Sequence, residues 1–76
     1  MHALAPIAPH VHPVVRRLFV EMHAQRCSNQ TMAQRSGVAA YSLSDWRRRT
    51  TPNIVNLDAC LNVLGLELCV RERKEP

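Results

Sequence analysis

Aromatic side chains number only three in this chain of 76 residues, Phe19, Tyr41 and Trp46, so aliphatic and methionine side chains must fill the interior. Glycine is scarcer still, with Gly37 and Gly65 alone, which leaves little room for tight hairpins. No stretch approaches the ~20 consecutive apolar residues that a membrane span requires. The three cysteines, Cys27, Cys60 and Cys69, include no C-x-x-C pair, and an odd count without paired spacing suits a reducing cytoplasm better than a disulfide framework. The opening MHALAPIAPHVHPVV has neither a basic leader nor a continuous apolar segment, and Pro6, Pro9 and Pro13 interrupt it; it is not expected to act as a secretory signal.

What is present points to one small basic domain. Apolar residues make up 46% of the chain, too many for a disordered tail. A domain of this length buries only about 60% of its unfolded surface, so its core is thin and a partner subunit would help it. The formal charge is +4 with a pI near 9.6, compatible with nucleic acid, an anionic membrane surface or an acidic protein.

The prolines at 6, 9 and 13 make residues 1–12 an extended arm, since each fixes its own φ and biases the preceding residue away from helix. Pro13 then suits a first helical position, and Val15, Leu18, Phe19 and Met22 recur at spacings of three and four, predicting a helix over 14–26. Ser28 is a good N-cap for a short second helix over 29–36, and Gly37 follows where a residue tolerant of positive φ is needed. The run AYSLSDWRRR sets Leu43 and Trp46 three apart on one face of a third helix. After Thr50, Thr51 and Pro52 break the chain, Asn53 caps a fourth helix carrying Ile54, Leu57, Leu61 and Leu64 up to Gly65. Beyond Gly65 the apolar period becomes two, at Leu66, Leu68 and Val70, which predicts a short strand, and RERKEP at 71–76 reads as a solvated tail. The fold class expected is all-α, with four to five helices and that one strand.

Two helices joined by a short turn containing glycine, the second bearing exposed polar and basic side chains, form the helix-turn-helix unit that enters a DNA major groove. Residues 29–48 meet its demands: a small Ala33 at the close approach, Gly37 in the turn, and Met32, Val38, Leu43 and Trp46 facing inward. Here the chain resembles the phage repressor and Cro-type helix-turn-helix regulators, also called the xenobiotic-response-element family. The residues that carry the resemblance are SNQTMAQRSGV, then SLSDWRRR, then Pro52 and NLDACLNVLGLEL, over about residues 14–68. That resemblance implies that Asn29 and Gln30 hold a DNA phosphate at the start of the second helix. It implies that Ala40, Tyr41, Ser44 and Asp45 lie on the base-reading face, and that Arg47, Arg48 and Arg49 contact the backbone. Two positions depart from the family pattern. Ala39 stands where a capping Ser or Thr is common, a loss of typically ~1 kcal/mol, and Arg49 stands where Gly is frequent.

Each signal also has a plainer reading. Three arginines at a helix end compensate its dipole by under ~1 kcal/mol even without a ligand, but joined to the helix-turn-helix spacing they are expected to bind phosphates. Tyr41 either contacts bases or packs on the second helix. Asp45 would be repelled by phosphate unless it accepts from cytosine or pairs with an arginine, and the arginine pair is expected. Four histidines, His2, His10, His12 and His23, invite a metal reading, but the arm that holds the first three is proline-broken with no cysteine nearby in sequence, and a structural zinc site normally needs four convergent ligands, so no metal site is expected. Cys27 and Cys60 fall on apolar faces with no nucleophile and base set together, so the chain is not expected to be an enzyme, and no cofactor is implied.

The function expected is that of a sequence-specific double-stranded DNA-binding repressor, bacterial or from a phage or prophage, acting in the cytoplasm. It would occlude a palindromic operator as a homodimer paired through Leu66, Leu68 and Val70. The alternative is an antitoxin or another protein-interaction module whose arm or C-terminal strand captures a protein partner. Removing residues 1–12 would then abolish capture and leave operator binding nearly intact. Binding of RNA or of nucleic acid without specificity is disfavoured, because one exposed tyrosine offers little base stacking.

Overall fold

The computed structural model describes residues 6–74, and within them the chain forms four α-helices and no strand. Helix α1 spans Pro13–Ala24. Pro13 at its first turn needs no hydrogen-bond partner for its nitrogen, and His12 caps the turn by accepting the Val14 N–H on its Nδ1 at 3.0 Å. The helix stops two residues earlier than its apolar period suggests because Arg26 takes a left-handed conformation, φ 55°. The Cys27 N–H then donates to the Met22 carbonyl and the Arg26 N–H to the His23 carbonyl, the paired closure of a Schellman motif.

Helix α2, Asn29–Ser36, begins where the Ser28 hydroxyl accepts the Thr31 N–H and ends at Gly37, whose φ of 84° no β-carbon-bearing residue adopts without strain. Three residues, 37–39, separate it from α3, Ala40–Trp46. No side chain caps α3, as Ala39 dictates. At its far end the helix expected to run through the arginines closes instead into a tight turn: the N–H groups of Arg48, Arg49 and Thr50 all donate to the Asp45 carbonyl. Pro52 follows, and the Asn53 side chain caps α4, Ile54–Val63, by accepting the Asn56 N–H at 2.8 Å. A second Schellman closure ends α4 at Gly65, φ 81°, with Leu66 N–H donating to the Leu61 carbonyl.

The core is assembled from one stripe of each helix. Val15, Leu18, Phe19 and Met22 of α1, Met32 of α2, Leu43 and Trp46 of α3, and Leu57, Cys60 and Leu61 of α4 are buried together with Val38 and Leu64. No polar or charged residue among the described ones is fully buried. Helix α2 packs on both α3 and α4, and α4 also on α1, so α3 lies at the edge of the bundle with one face left to solvent. Burial of side chains of this size is worth ~1.5–3 kcal/mol each relative to exposure, which is what fixes the attitude of α3.

The strand expected at 66–70 is absent. A lone chain offers no neighbouring strand to complete a ladder, and Leu66 and Leu68 turn back to pack against the chain's own core while Val70 is fully exposed. The alternation of apolar residues there reflects an irregular segment that lays every second side chain on the bundle. The arm also differs from expectation. Its residues 1–5, with His2, lie outside the described residues, but Ile7 and Val11 pack on the core and Ala8 is hydrogen-bonded on both sides.

Candidate functional site

Helix α3 carries its apolar residues inward and its polar ones outward because Leu43 and Trp46, three apart, claim one face; Trp46 is 5% exposed and Leu43 is fully enclosed. The opposite face therefore presents Ala40, Tyr41, Ser44 and Asp45. Tyr41 stands 76% exposed, which rules out the reading in which it packs on α2. Ser44 and Asp45 are half-buried.

The start of α2 meets this face. Asn29 donates from Nδ2 to the Ser44 hydroxyl at 3.2 Å, tying the two helices together beside the exposed Gln30. Two residues assigned separate roles thus form one unit, and the Ser44 hydroxyl retains its own proton to donate outward. The start of α2, where Ser28 caps the Thr31 N–H, adds partial positive charge at this point.

The three arginines have three different environments. Arg49 reaches back one turn to Asp45, Nη2 to Oδ1 at 3.4 Å, which answers the question of what Asp45 pairs with. Arg48 is exposed and has no carboxylate partner among the described residues. Arg47 is turned inward. Its guanidinium lies over the Phe19 ring, 4.1 Å from the centroid, and its Nη1 is enclosed without a hydrogen-bond acceptor among the described residues. Burial accordingly lowers its pKa from the ordinary value.

Between α2, α3 and the amino-terminal segment lies an open cleft of about 1020 Å³. Ser28, Asn29, Gln30, Ser44 and Arg48 form one wall; Pro6, Ile7, Ala8 and Pro9 form the other, with Arg47 at the base. The amino-terminal wall was not legible as part of a site. The only signals for it were the stiffness of Pro6 and Pro9 and an isoleucine between them. Arg16 was missed for a similar reason: it looks like an ordinary solvated position on α1, yet its Nη2 donates to the Ala8 carbonyl at 2.9 Å.

The remaining expected residues lie elsewhere. Leu66 and Leu68 pack on the core, away from this cleft. A second, smaller apolar hollow of about 250 Å³ runs between Val14, Pro52, Ile54, Leu57 and Leu68, with Ile54 and Val55 exposed beside it. His10 and His12 are exposed, and His12 is engaged as the α1 cap. Cys60 is 0% exposed; burial raises its thiol pKa, partly opposed by a hydrogen bond with Ser36 and aided by the nearby Cys27 thiol. Comparison of the chain with family models, with curated proteins and with solved structures finds no match.

Proposed function

We propose that this chain is a sequence-specific double-stranded DNA-binding protein of the phage repressor and Cro-type helix-turn-helix kind, acting as a transcriptional repressor. The observation that carries the reading is the solvent-facing side of α3. A helix anchored by Leu43 and Trp46 leaves Tyr41, Ser44 and Arg48, which has no carboxylate partner among the described residues, outward, next to the start of α2, which Asn29 joins to Ser44. A free helix face bordered by hydrogen-bond donors and uncompensated positive charge suits a groove flanked by phosphates. The one carboxylate on that face is neutralised by Arg49. In this arrangement Ala40, Tyr41, Ser44 and Asp45 read base edges, while Asn29, Gln30, Arg48 and Arg49 hold the strands.

A homodimer on a palindromic operator belongs to the same proposal. Ile54, Val55 and Val70 are exposed large apolar side chains, and a second copy that covered them would deepen a thin core. Two recognition helices about 34 Å apart would then reach successive major grooves on one side of the duplex. Selection of bound duplexes from a random pool tests this. A palindromic sequence with half-sites one helical turn apart is expected; a pool that shows no enrichment after repeated rounds overturns sequence-specific binding.

A further inference from the structure

The cleft in front of α3 has two walls of opposite character. One is polar and cationic, made by Ser28, Asn29, Gln30, Ser44 and Arg48; the other is apolar and stiff, made by Pro6, Ile7 and Pro9. No carboxylate among the described residues lines it. A nucleic-acid strand has the same two-sided chemistry, with anionic phosphates alternating with the carbon-rich faces of deoxyribose. Free phosphate lacks the apolar half of that pairing.

The apolar wall is held in place by a short relay. The Ala8 N–H donates to the Arg47 carbonyl at 2.8 Å, the Ala8 carbonyl accepts from Arg16 Nη2 at 2.9 Å, and the Val11 N–H closes a turn back onto the same carbonyl at 3.1 Å. Arg47 in turn is pinned by its guanidinium over Phe19. Its Nη1 is enclosed, so the side chain is spent on the fold and its carbonyl is presented to the amino-terminal segment. Prolines at 6 and 9 lower the entropy lost in holding this segment still.

Resting on the duplex-binding reading above, we propose that Pro6–Pro9 is a third wall of the DNA interface. It packs on the deoxyribose face of the strand whose phosphates meet Asn29, Gln30 and Arg48, and Arg47 is the positioning residue that keeps it there. An apolar wall at this place favours DNA over RNA, whose 2′-hydroxyls would be buried there without partners. The amino-terminal segment is then required for duplex binding, contrary to the expectation that an arm of residues 1–12 is dispensable for it. Arg47 takes no phosphate of its own.

Full-length variants test both parts by duplex titration across a salt series. Pro6→Glu with Pro9→Glu sets two carboxylates on the exposed apolar wall without removing any N–H, and Asn56→Glu with Asn62→Glu makes the same charge change on exposed positions of α4. Thermal melts of both confirm folding. The cleft variant is expected to lose duplex affinity at least tenfold more than the α4 variant; equal losses overturn the third wall. Arg47→Met keeps an apolar stem over Phe19, and its salt slope is expected to match the parent, whereas Arg48→Met should lose about one unit of slope. A full unit lost at Arg47→Met overturns its positioning role. A parent chain that binds no duplex at any salt overturns the duplex-binding reading itself, and the wall with it.

Discussion

Three adjacent arginines look interchangeable in sequence, and their surroundings separate them. Arg47 serves the fold, Arg49 compensates Asp45, and Arg48 alone points outward without a partner among the described residues. An exposed ion pair such as Arg49 with Asp45 is worth under ~1 kcal/mol and uses one guanidinium nitrogen, so Arg49 can offset Asp45 and still offer its other N–H groups to a phosphate. Arg48→Ala is expected to weaken binding to all duplexes alike and to flatten the plot of log affinity against log salt by about one unit, whereas Ser44→Ala should alter preference among sequences. Titrations at four salt concentrations distinguish the two. Cys60 gives a separate prediction for stability. Its thiol pKa is raised in the folded chain by burial, so as pH climbs past the ordinary thiol value of about 8.5 the unfolded chain loses its proton first. Stability therefore falls with rising pH, by up to about 1.4 kcal/mol per unit for one proton. Melting curves from pH 7 to 10 should show the decline in the parent and a shallower one in Cys60→Ala, which itself melts lower at pH 7.

At the scale of elements, much of the architecture could be read from the chain because its punctuation is chemical. Ser28, Gly37, Pro52, Asn53 and Gly65 each do in the structure what their side chains or lack of one allow. What could not be read was of two kinds. The end of α1 depends on Arg26 accepting a left-handed φ, a conformation that arginine does not advertise. The end of α3 depends on the Asp45 carbonyl collecting three N–H groups, a closure that no glycine or proline within the turn signals. The strand at 66–70 failed because alternation marks a half-buried extended segment whether or not a second strand exists. In the site, the exposed face of α3 was legible from Leu43 and Trp46, but the amino-terminal wall was not, since it rests on hydrogen bonds between residues eight and thirty-nine positions apart. Two helix ends are improvable accordingly. Arg26→Gly relieves the left-handed strain and Ala39→Ser supplies the absent cap, each expected to add about 0.5–1 kcal/mol. For a domain of this size that raises the melting temperature by several degrees; a change of sign in either would contradict the terminus assigned to it.

At the scale of the whole molecule, the thin core and the exposed Ile54, Val55 and Val70 make self-association the natural complement to the proposed DNA binding. Val70→Asp and Ile54→Asp are expected to leave the melting temperature of the monomer nearly unchanged, since both side chains already face solvent, and to convert the sedimenting species from dimer to monomer. Operator affinity should drop far more than affinity for a single half-site. A parent that sediments only as a monomer at micromolar concentration, both free and on its operator, would remove the dimer from the proposal and leave the recognition face standing.

The central claim is that the outward face of α3 meets a duplex. Backbone amide shifts of the labelled chain, followed by NMR while an enriched duplex is added, test it directly. The account predicts that the largest changes fall on Asn29, Gln30, Ala40, Tyr41, Ser44 and Arg48, joined by Ile7 and Ala8, with α4 little affected away from any contact between copies. Changes concentrated on the outer surfaces of α1 and α4, with Tyr41 and Ser44 unmoved, would contradict it.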